Sequence, residues 1–248
     1  MKRIAPILLS LSLLTSSLTF AQSLGEAIAQ GLGSLTLSDR QVAEYSRQAV
    51  AQMDAQNPVA GPNDPYTQRL NRIVARHRVI DGIPINYKVY MVKDVNAFAT
   101  ADGSVRVMKG LMDIMTDQEL LAVMGHEIGH VINKDSRDAM KRALQRSAVR
   151  NAIASRNNAL GRLSRGTLGS FADAYFGASF SRQQETEADD YAYSFLKRNG
   201  YSVLPLASSF EKLAKQGGAS GPEFLSSHPN SANRAKRVRD RARREGVR

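Results

Sequence analysis

The stretch Gly125-His126-Glu127-Ile128-Gly129-His130 has the pattern H-E-x-x-H and lies inside an apolar run from Leu120 to Ile132. On a helix with 3.6 residues per turn, His126 and His130 lie one above the other on a single face. This is the geometry that two imidazoles need to bind one tetrahedral zinc ion. Glu127 is rotated by about 100° from His126, so it can reach a metal-bound water without being a ligand itself.

The surroundings of the motif favour a metal over simple packing. Thr116-Asp117-Gln118-Glu119 is a capping-box sequence that predicts the start of the helix. A helix this apolar is expected to be buried, and burying a carboxylate with two imidazoles costs on the order of several kcal/mol unless they have partners. Only four histidines occur in the chain, and two of them lie in this motif. The pattern alone would also fit a helix that binds nothing.

A second stretch, Ser181–Leu196, is helical by pattern and rich in acids. Glu185 and Asp189 share its apolar stripe, whereas Glu187 lies about 200° from Glu185 and points away. We therefore expect Glu185 to be the third zinc ligand and Asp189 to accept the free ring N–H of a ligating histidine. The alternative, an exposed acidic helix, predicts an all-polar face, which the apolar residues of the stripe contradict.

The predicted fold class is α+β, mostly helical, with a small sheet directly before the motif helix. Helices are expected from Ser38 to the residue before Asn57-Pro58 and over Tyr66–Ile80. Ile85–Val92 alternates as a strand does, and Ala97–Met108 predicts a hairpin with a type I′ turn at Asp102-Gly103. A strand there either offers its edge to an extended peptide or serves as scaffold.

The N-terminus has the features of a secretion signal. Lys2-Arg3, an apolar run from Ile4 to Leu14 and the small-residue exit Thr19-Phe20-Ala21 predict a cleaved signal peptide over residues 1–21. The remaining residues, 22–248, have enough hydrophobic content for one domain. An uncleaved anchor is the alternative, but this run is shorter than the roughly 20 apolar residues that span a bilayer.

Charge and cysteine content limit the partners and the location. The chain has no cysteine, so any metal must be held by nitrogen and oxygen, and no thiol can carry a lipid. We expect a periplasmic protein, peripheral to a membrane at most. The net charge is +11, or +9 without Lys2 and Arg3, and is concentrated in Arg137–Arg165 and Arg234–Arg248. We exclude nucleic acid, because export removes that partner and no aromatic-interleaved basic motif is present. An anionic membrane surface, an acidic substrate and a solvated face remain open.

Two further segments could complete the site. Arg156–Phe180 contains four glycines among Ser and Asn residues, which suits either a lid over a cleft or a surface insertion. His228 stands before Pro229 in a turn that leads into a basic helix with a narrow apolar stripe. A lone histidine at such a position is more often a turn residue than a ligand.

Together, the H-E-x-x-H motif, the E-x-x-x-D of Glu185 and Asp189, and the H-P turn followed by Arg234 resemble the HtpX-like and Ste24-like gluzincin zinc peptidases. The soluble bacterial branch is the most similar, over almost all of residues 22–248. The resemblance implies a zincin core with one Zn²⁺ per chain, held by His126, His130 and Glu185, and Glu127 as the catalytic base. Relatives of this branch carry a lipid-modified cysteine and a disulfide, which this sequence lacks.

By the same resemblance, His228 is a candidate gate or fourth ligand, because it matches a histidine that closes onto the zinc in some relatives. Arg234, His228, Tyr191 and Tyr193 are candidates for the oxyanion or substrate contact. We expect an exported zinc endopeptidase that cleaves unfolded or misassembled envelope proteins in protein quality control. The alternative is a zinc-containing chaperone or binding module for outer-membrane proteins with latent proteolysis.

Overall fold

The computed structural model describes residues 38–143, 179–216, 223–229 and 231–247. The predicted signal peptide, residues 1–21, lies outside the described residues, and so does all but the end of the predicted lid. Among the helices of the described ranges, none is both long and apolar enough to cross a bilayer.

Helices dominate the described chain, and a short run of strands precedes the motif helix. The helices are α1 Asp39–Gln56, α2 Pro65–Ile73, α3 Lys109–Ile114, α4 Asp117–Ile132, α5 over residues 135–143 of the described range, α6 Arg182–Arg198, α7 Leu204–Lys215, α8 Glu223–Ser227 and α9 Ser231–Arg244. The strands are β1 Val79–Ile80, β2 Ile83–Pro84, β3 Asn86–Tyr90, β4 Ala97–Ala99 and β5 Ser104–Met108. The predicted α+β class is confirmed.

The main sheet has three strands in the order β3-β5-β4, with β3 parallel and β4 antiparallel to β5. The predicted hairpin is confirmed, but the predicted type I′ turn is wrong. Only Gly103 has a positive φ, of 82°, and its N–H donates to the Thr100 carbonyl. This is a type I turn closed by a left-handed glycine, in which the carboxylate of Asp102 accepts hydrogen bonds from the Thr100 and Ser104 hydroxyls.

The predicted helix over Tyr66–Ile80 is too long. Helix α2 ends at Ile73, and Val79–Ile80 pairs instead with Ile83–Pro84. The residues between these strands, Asp81 and Gly82, have φ values of 48° and 81°, as a two-residue type I′ turn requires. The local Asp-Gly turn and the β-branched pair before it therefore outweigh the helical periodicity.

Helices α4 and α6 pack so closely that glycine is needed at the contact. A Cβ on Gly129 would lie 3.0 Å from both the Cα and the carbonyl oxygen of Ala188, and one on Gly125 would lie 3.1 Å from the Phe195 ring. Almost all of α4 is buried. The glycine face of α4 thus lets the backbone of α6 lie against the turn that carries the motif.

Side-chain caps define where these two helices begin. Thr116 and Glu119 form the capping box predicted for α4, and Ser181 and Gln184 form one for α6. Glu119 also accepts hydrogen bonds from Ser208 at 2.7 Å and from Lys212 at 2.6 Å. The N-terminus of α4 is therefore tied to α7 as well.

Helix α1 is attached to the sheet through Asp54. Its carboxylate accepts hydrogen bonds from Arg106, Lys88 and Tyr90 at 2.7 to 2.9 Å. Burial alone would raise the pKa of Asp54, but these hydrogen bonds outweigh it and lower the pKa to about 2. The ionised form is therefore tied to the folded state.

We predict that Asp54→Asn lowers the free energy of unfolding at pH 7 by about 2–3 kcal/mol. The reason is that the pKa of Asp54 is about 3.9 in the unfolded chain and about 2 in the folded protein. Because the pKa of Asp54 is lower in the folded state, its contribution to stability is present above about pH 4 and is lost as the pH falls toward 2. Urea unfolding across this range measures it. The matched control is Glu44→Gln on the same helix, which removes an exposed pair with Arg47 and should change stability by less than about 1 kcal/mol. Identical losses in both variants would contradict the prediction.

Candidate metal centre

Four buried side chains from three parts of the chain converge on one point. His126 and His130 come from α4, Glu185 from the first turn of α6, and His228 follows α8 directly. Each is no more than 2% exposed. One nitrogen or oxygen atom from each residue can be chosen so that all four atoms lie within 4.8 Å of one another.

The separations between these atoms match a tetrahedral metal site. His126 Nε2 lies 3.2 Å from His130 Nε2 and 3.2 Å from His228 Nδ1. Glu185 Oε1 lies 2.9 Å from His228 Nδ1 and 3.4 Å from His130 Nε2. Zinc–ligand bonds of about 2.0–2.1 Å place two atoms of a tetrahedron about 3.3 Å apart. The residues present therefore fit a zinc ion.

The charges around His130 also favour a cation at this point. His130 Nδ1 is 2.9 Å from Asp135 Oδ2 and donates to it, which leaves Nε2 with its lone pair facing the Glu185 carboxylate. Although burial opposes it, Asp135 and Glu185 raise the pKa of His130 to about 9. A positive charge between Nε2 and Glu185 is thus stabilised, and a metal ion supplies it while the imidazole stays neutral.

Asp189 and Arg234 lie behind His126. Asp189 Oδ1 is 3.0 Å from His126 Nδ1, where the helical angle predicts a carboxylate. Arg234 donates to Asp189 from Nε at 3.0 Å and from Nη2 at 2.6 Å, and its guanidinium lies 4.0 Å above the Phe210 ring. Its Nη1 forms an ion pair with Glu185 Oε2 at 2.5 Å, and neither atom makes a hydrogen bond among the described residues. Burial and the Arg234 charge lower the pKa of His126, which favours a neutral imidazole.

Glu127 is adjacent to the four-residue cluster without belonging to it. Its side chain is buried, Oε1 has no hydrogen-bond partner within the described ranges, and it lies 3.5 Å from His228 Nε2. Burial raises the pKa of Glu127. A carboxylate whose pKa is raised, with an oxygen that makes no hydrogen bond among the described residues, is suited to accept a proton.

Three other residues of α6 that the sequence analysis considered point away from the cluster. Glu187 is exposed, as the helical angles predict. The hydroxyls of Tyr191 and Tyr193 donate to Asp81 and Glu245, which lie outside the cluster. Neither tyrosine is therefore placed to donate to the cluster.

Several neighbours of the cluster were not predicted from the sequence. Phe180 stacks on His130 with ring centroids 3.9 Å apart, and Phe224 stacks on His228 at 4.4 Å. Asp135 accepts from His130, and Gln184 donates to Asp135 at 2.9 Å. The capping sequence Ser181–Gln184 could have indicated the position of Gln184, but nothing in the sequence distinguishes the two phenylalanines.

The chain matches known proteins over most of its length. Residues 64–242 match the Peptidase family M48. Metalloprotease LoiP of Escherichia coli is 46% identical over 220 residues, which is 88% of this chain and 87% of that protein. Metalloprotease YcaL of the same organism is 43% identical over 219 residues, or 87% and 86% of the two chains. The beta-barrel assembly-enhancing protease of Escherichia coli is 31% identical over 224 residues, or 84% of this chain and 45% of that protein.

These matches agree with the geometry of the centre. The family implies a bound metal, typically zinc, and the segment that matches it contains His126, His130, Glu185 and His228. The predicted resemblance to the soluble bacterial branch is confirmed by two relatives that share more than two fifths of their residues with this chain. The chain therefore belongs to peptidase family M48 and is a metalloprotease.

Proposed function

We propose that residues 22–248 form a single exported zinc endopeptidase domain that hydrolyses unfolded or misassembled envelope proteins. In this proposal His126, His130 and Glu185 hold one Zn²⁺, Glu127 is the catalytic base, and Asp189 orients His126. The observation that carries it is the buried set of four donor atoms within 4.8 Å of one another, with Glu127 Oε1, which makes no hydrogen bond among the described residues, beside it.

The mechanism follows from the positions of these side chains. A zinc ion held there supplies Lewis-acid chemistry, polarising the peptide carbonyl and making water a nucleophile at neutral pH. Glu127 takes the proton from the attacking water and passes it to the leaving amine. Asp189, paired with Arg234, keeps the His126 ring in place. Arg234, whose Nη1 also lies 2.5 Å from Glu185 Oε2, is the candidate substrate contact of this pair.

The preference for unfolded substrates is supported by the burial of the cluster. Its four side chains are each no more than 2% exposed, so a peptide bond can reach them only in a segment that leaves the surface of its own protein. An unfolded chain meets this requirement without the opening that a folded protein needs. One relative is named a beta-barrel assembly-enhancing protease, and this supports envelope proteins as the substrate class and the periplasm as the location.

A second candidate function is a zinc-containing chaperone or binding module for outer-membrane proteins with latent proteolysis. It is favoured by His228, whose Nδ1 lies 2.9 Å from Glu185 and 3.2 Å from His126, in the place of a fourth ligand. A zinc site closed by four protein ligands is structural, whereas three ligands and water are catalytic. One site can serve both functions if the His228 side chain can leave the metal.

Contact with an anionic membrane surface has less support. The arginines of α9 are largely paired with acids of neighbouring helices, such as Arg237 with Asp190 at 3.2 Å and Arg239 with Glu211 at 2.5 Å. Paired charges attract lipid head groups less than free ones do. The pairs are consistent with a folded, solvated face.

The first test concerns Glu127 in a zinc-titrated assay of casein cleavage. We expect Glu127→Gln to bind one zinc per chain like the wild type and to lose at least about a hundredfold in cleavage rate, because the proton acceptor is gone while the ligands remain. Glu187→Gln, an exposed acid on α6, is the matched control and should keep full activity. Undiminished cleavage by metal-replete Glu127→Gln would refute the hydrolytic mechanism.

The second test separates the two acids by metal content. Glu185→Ala should lose most of its zinc, because a buried ligand is removed, whereas Glu187→Ala should retain it. Zinc per chain after dialysis against a weak chelator measures this. The opposite ranking would show that α6 is rotated relative to the cluster.

The third test asks whether His228 is a removable fourth ligand. We expect His228→Ala to keep zinc on its three remaining ligands and to cleave casein several-fold faster, because the nucleophile no longer competes with the imidazole. Single-turnover cleavage measured beside zinc content checks this. If His228 instead stabilises the oxyanion, the rate of His228→Ala falls about a hundredfold with zinc still bound. That result would refute the proposal that His228 is a removable fourth ligand.

A further inference from the structure

Gln184 lies one residue before Glu185 and uses both ends of its amide. Its Oε1 accepts the Ser181 backbone N–H at 3.0 Å, within the capping box that begins α6. Its Nε2 donates at 2.9 Å to Oδ1 of Asp135. Only one orientation of the amide satisfies both contacts, because the cap requires an acceptor and the carboxylate requires a donor. The start of α6 is therefore tied directly to Asp135.

Asp135 lies between Gln184 and the cluster. It is 5% exposed, and its other oxygen, Oδ2, accepts from His130 Nδ1 at 2.9 Å. Within the described ranges it has no Lys or Arg partner, in contrast to Asp189, which is paired with Arg234. The direction of this carboxylate thus depends on one imidazole and one amide.

The backbone explains how Asp135 reaches this position. It follows the end of α4, where Lys134 has a φ of 67°. This left-handed residue turns the chain so that the first residue of α5 faces back toward the last turn of α4. His130 Nδ1, Asp135 and Gln184 then form one hydrogen-bonded line from α4 to α6.

We propose that Asp135 and Gln184 are positioning residues that set the orientation of the His130 ring relative to Glu185. The amide of Gln184 aims Asp135, and Asp135 holds His130 so that Nε2 points at the Glu185 carboxylate. Gln184 is adjacent to Glu185, and its side chain caps the helix that carries Glu185. The hydrogen-bonded line therefore also sets the distance between the His130 and Glu185 side chains. The proposal rests on the proposed zinc site, because it concerns how two of its ligands are held.

The test is the zinc affinity of the purified full-length protein, measured by competition with a chelating indicator. Gln184→Glu keeps the capping box, since Glu serves at this position as well as Gln, but it places a carboxylate against Asp135. We expect zinc affinity to fall about 10–100-fold, the usual cost of losing an outer partner of a ligand. Gln183→Glu adds the same charge to the same turn, on an exposed side chain, and should leave the affinity unchanged.

A double variant distinguishes positioning from a general loss of structure. Asp135→Asn alone leaves two donors facing each other, because Gln184 and His130 both donate to this side chain. Combined with Gln184→Glu, the amide at 135 can accept from His130 and donate to the new carboxylate. We expect the double variant to bind zinc more tightly than either single variant, and its visible absorption with Co²⁺ to return toward that of the wild type.

The outcomes are separable. Gln184→Glu binding zinc as tightly as Gln183→Glu, or a double variant weakened by the product of the two single losses, would overturn the positioning role while leaving the zinc site intact. A wild-type protein that takes up no zinc would overturn the proposed site itself, and the positioning role with it. Circular dichroism of the metal-free variants verifies that all of them are folded.

Discussion

The close contact between α4 and α6 is the constraint on which the rest of the molecule depends. The Cα and carbonyl oxygen of Ala188 lie where a Cβ on Gly129 would stand 3.0 Å from each. A methyl group at such a contact typically costs about 1–3 kcal/mol or pushes the helices apart. Because His130 and Glu185 lie on these two helices, any widening of the contact also widens the distance between them. The lack of a side chain at Gly129 thus determines both how closely the two helices pack and how close His130 lies to Glu185.

Much of the fold and of the centre could be predicted because helical angles and caps are local properties. The spacing of His126 and His130, the inward direction of Glu185 and the outward direction of Glu187 all follow from 3.6 residues per turn. The capping box at Thr116 is equally local. The error at α2 has a local cause as well, since the turn preference of Asp81-Gly82 outweighs the helical periodicity before it.

What the sequence could not predict depends on contacts between distant segments. Asp135 reaches His130 only because the chain turns at Lys134, and a left-handed lysine has no clear signature in sequence. The basic C-terminal stretch has the composition of a charged surface, yet its Arg239 and Arg241 are paired with acids of α7 and α6. Ion pairs of this kind become visible only when the partner helices are in place.

The order of the cluster residues along the chain has a consequence for how the protein tolerates change. In the proposed site, a metal bound by His130, Glu185 and His228 would close two loops, of 55 residues (185 − 130) and 43 residues (228 − 185). The entropy of closing a flexible loop grows only with the logarithm of its length, by about 0.6 kcal/mol per doubling. A change in the length of either connection would therefore cost the cluster little chain entropy. Insertions and deletions between the cluster residues are compatible with the same four donor atoms.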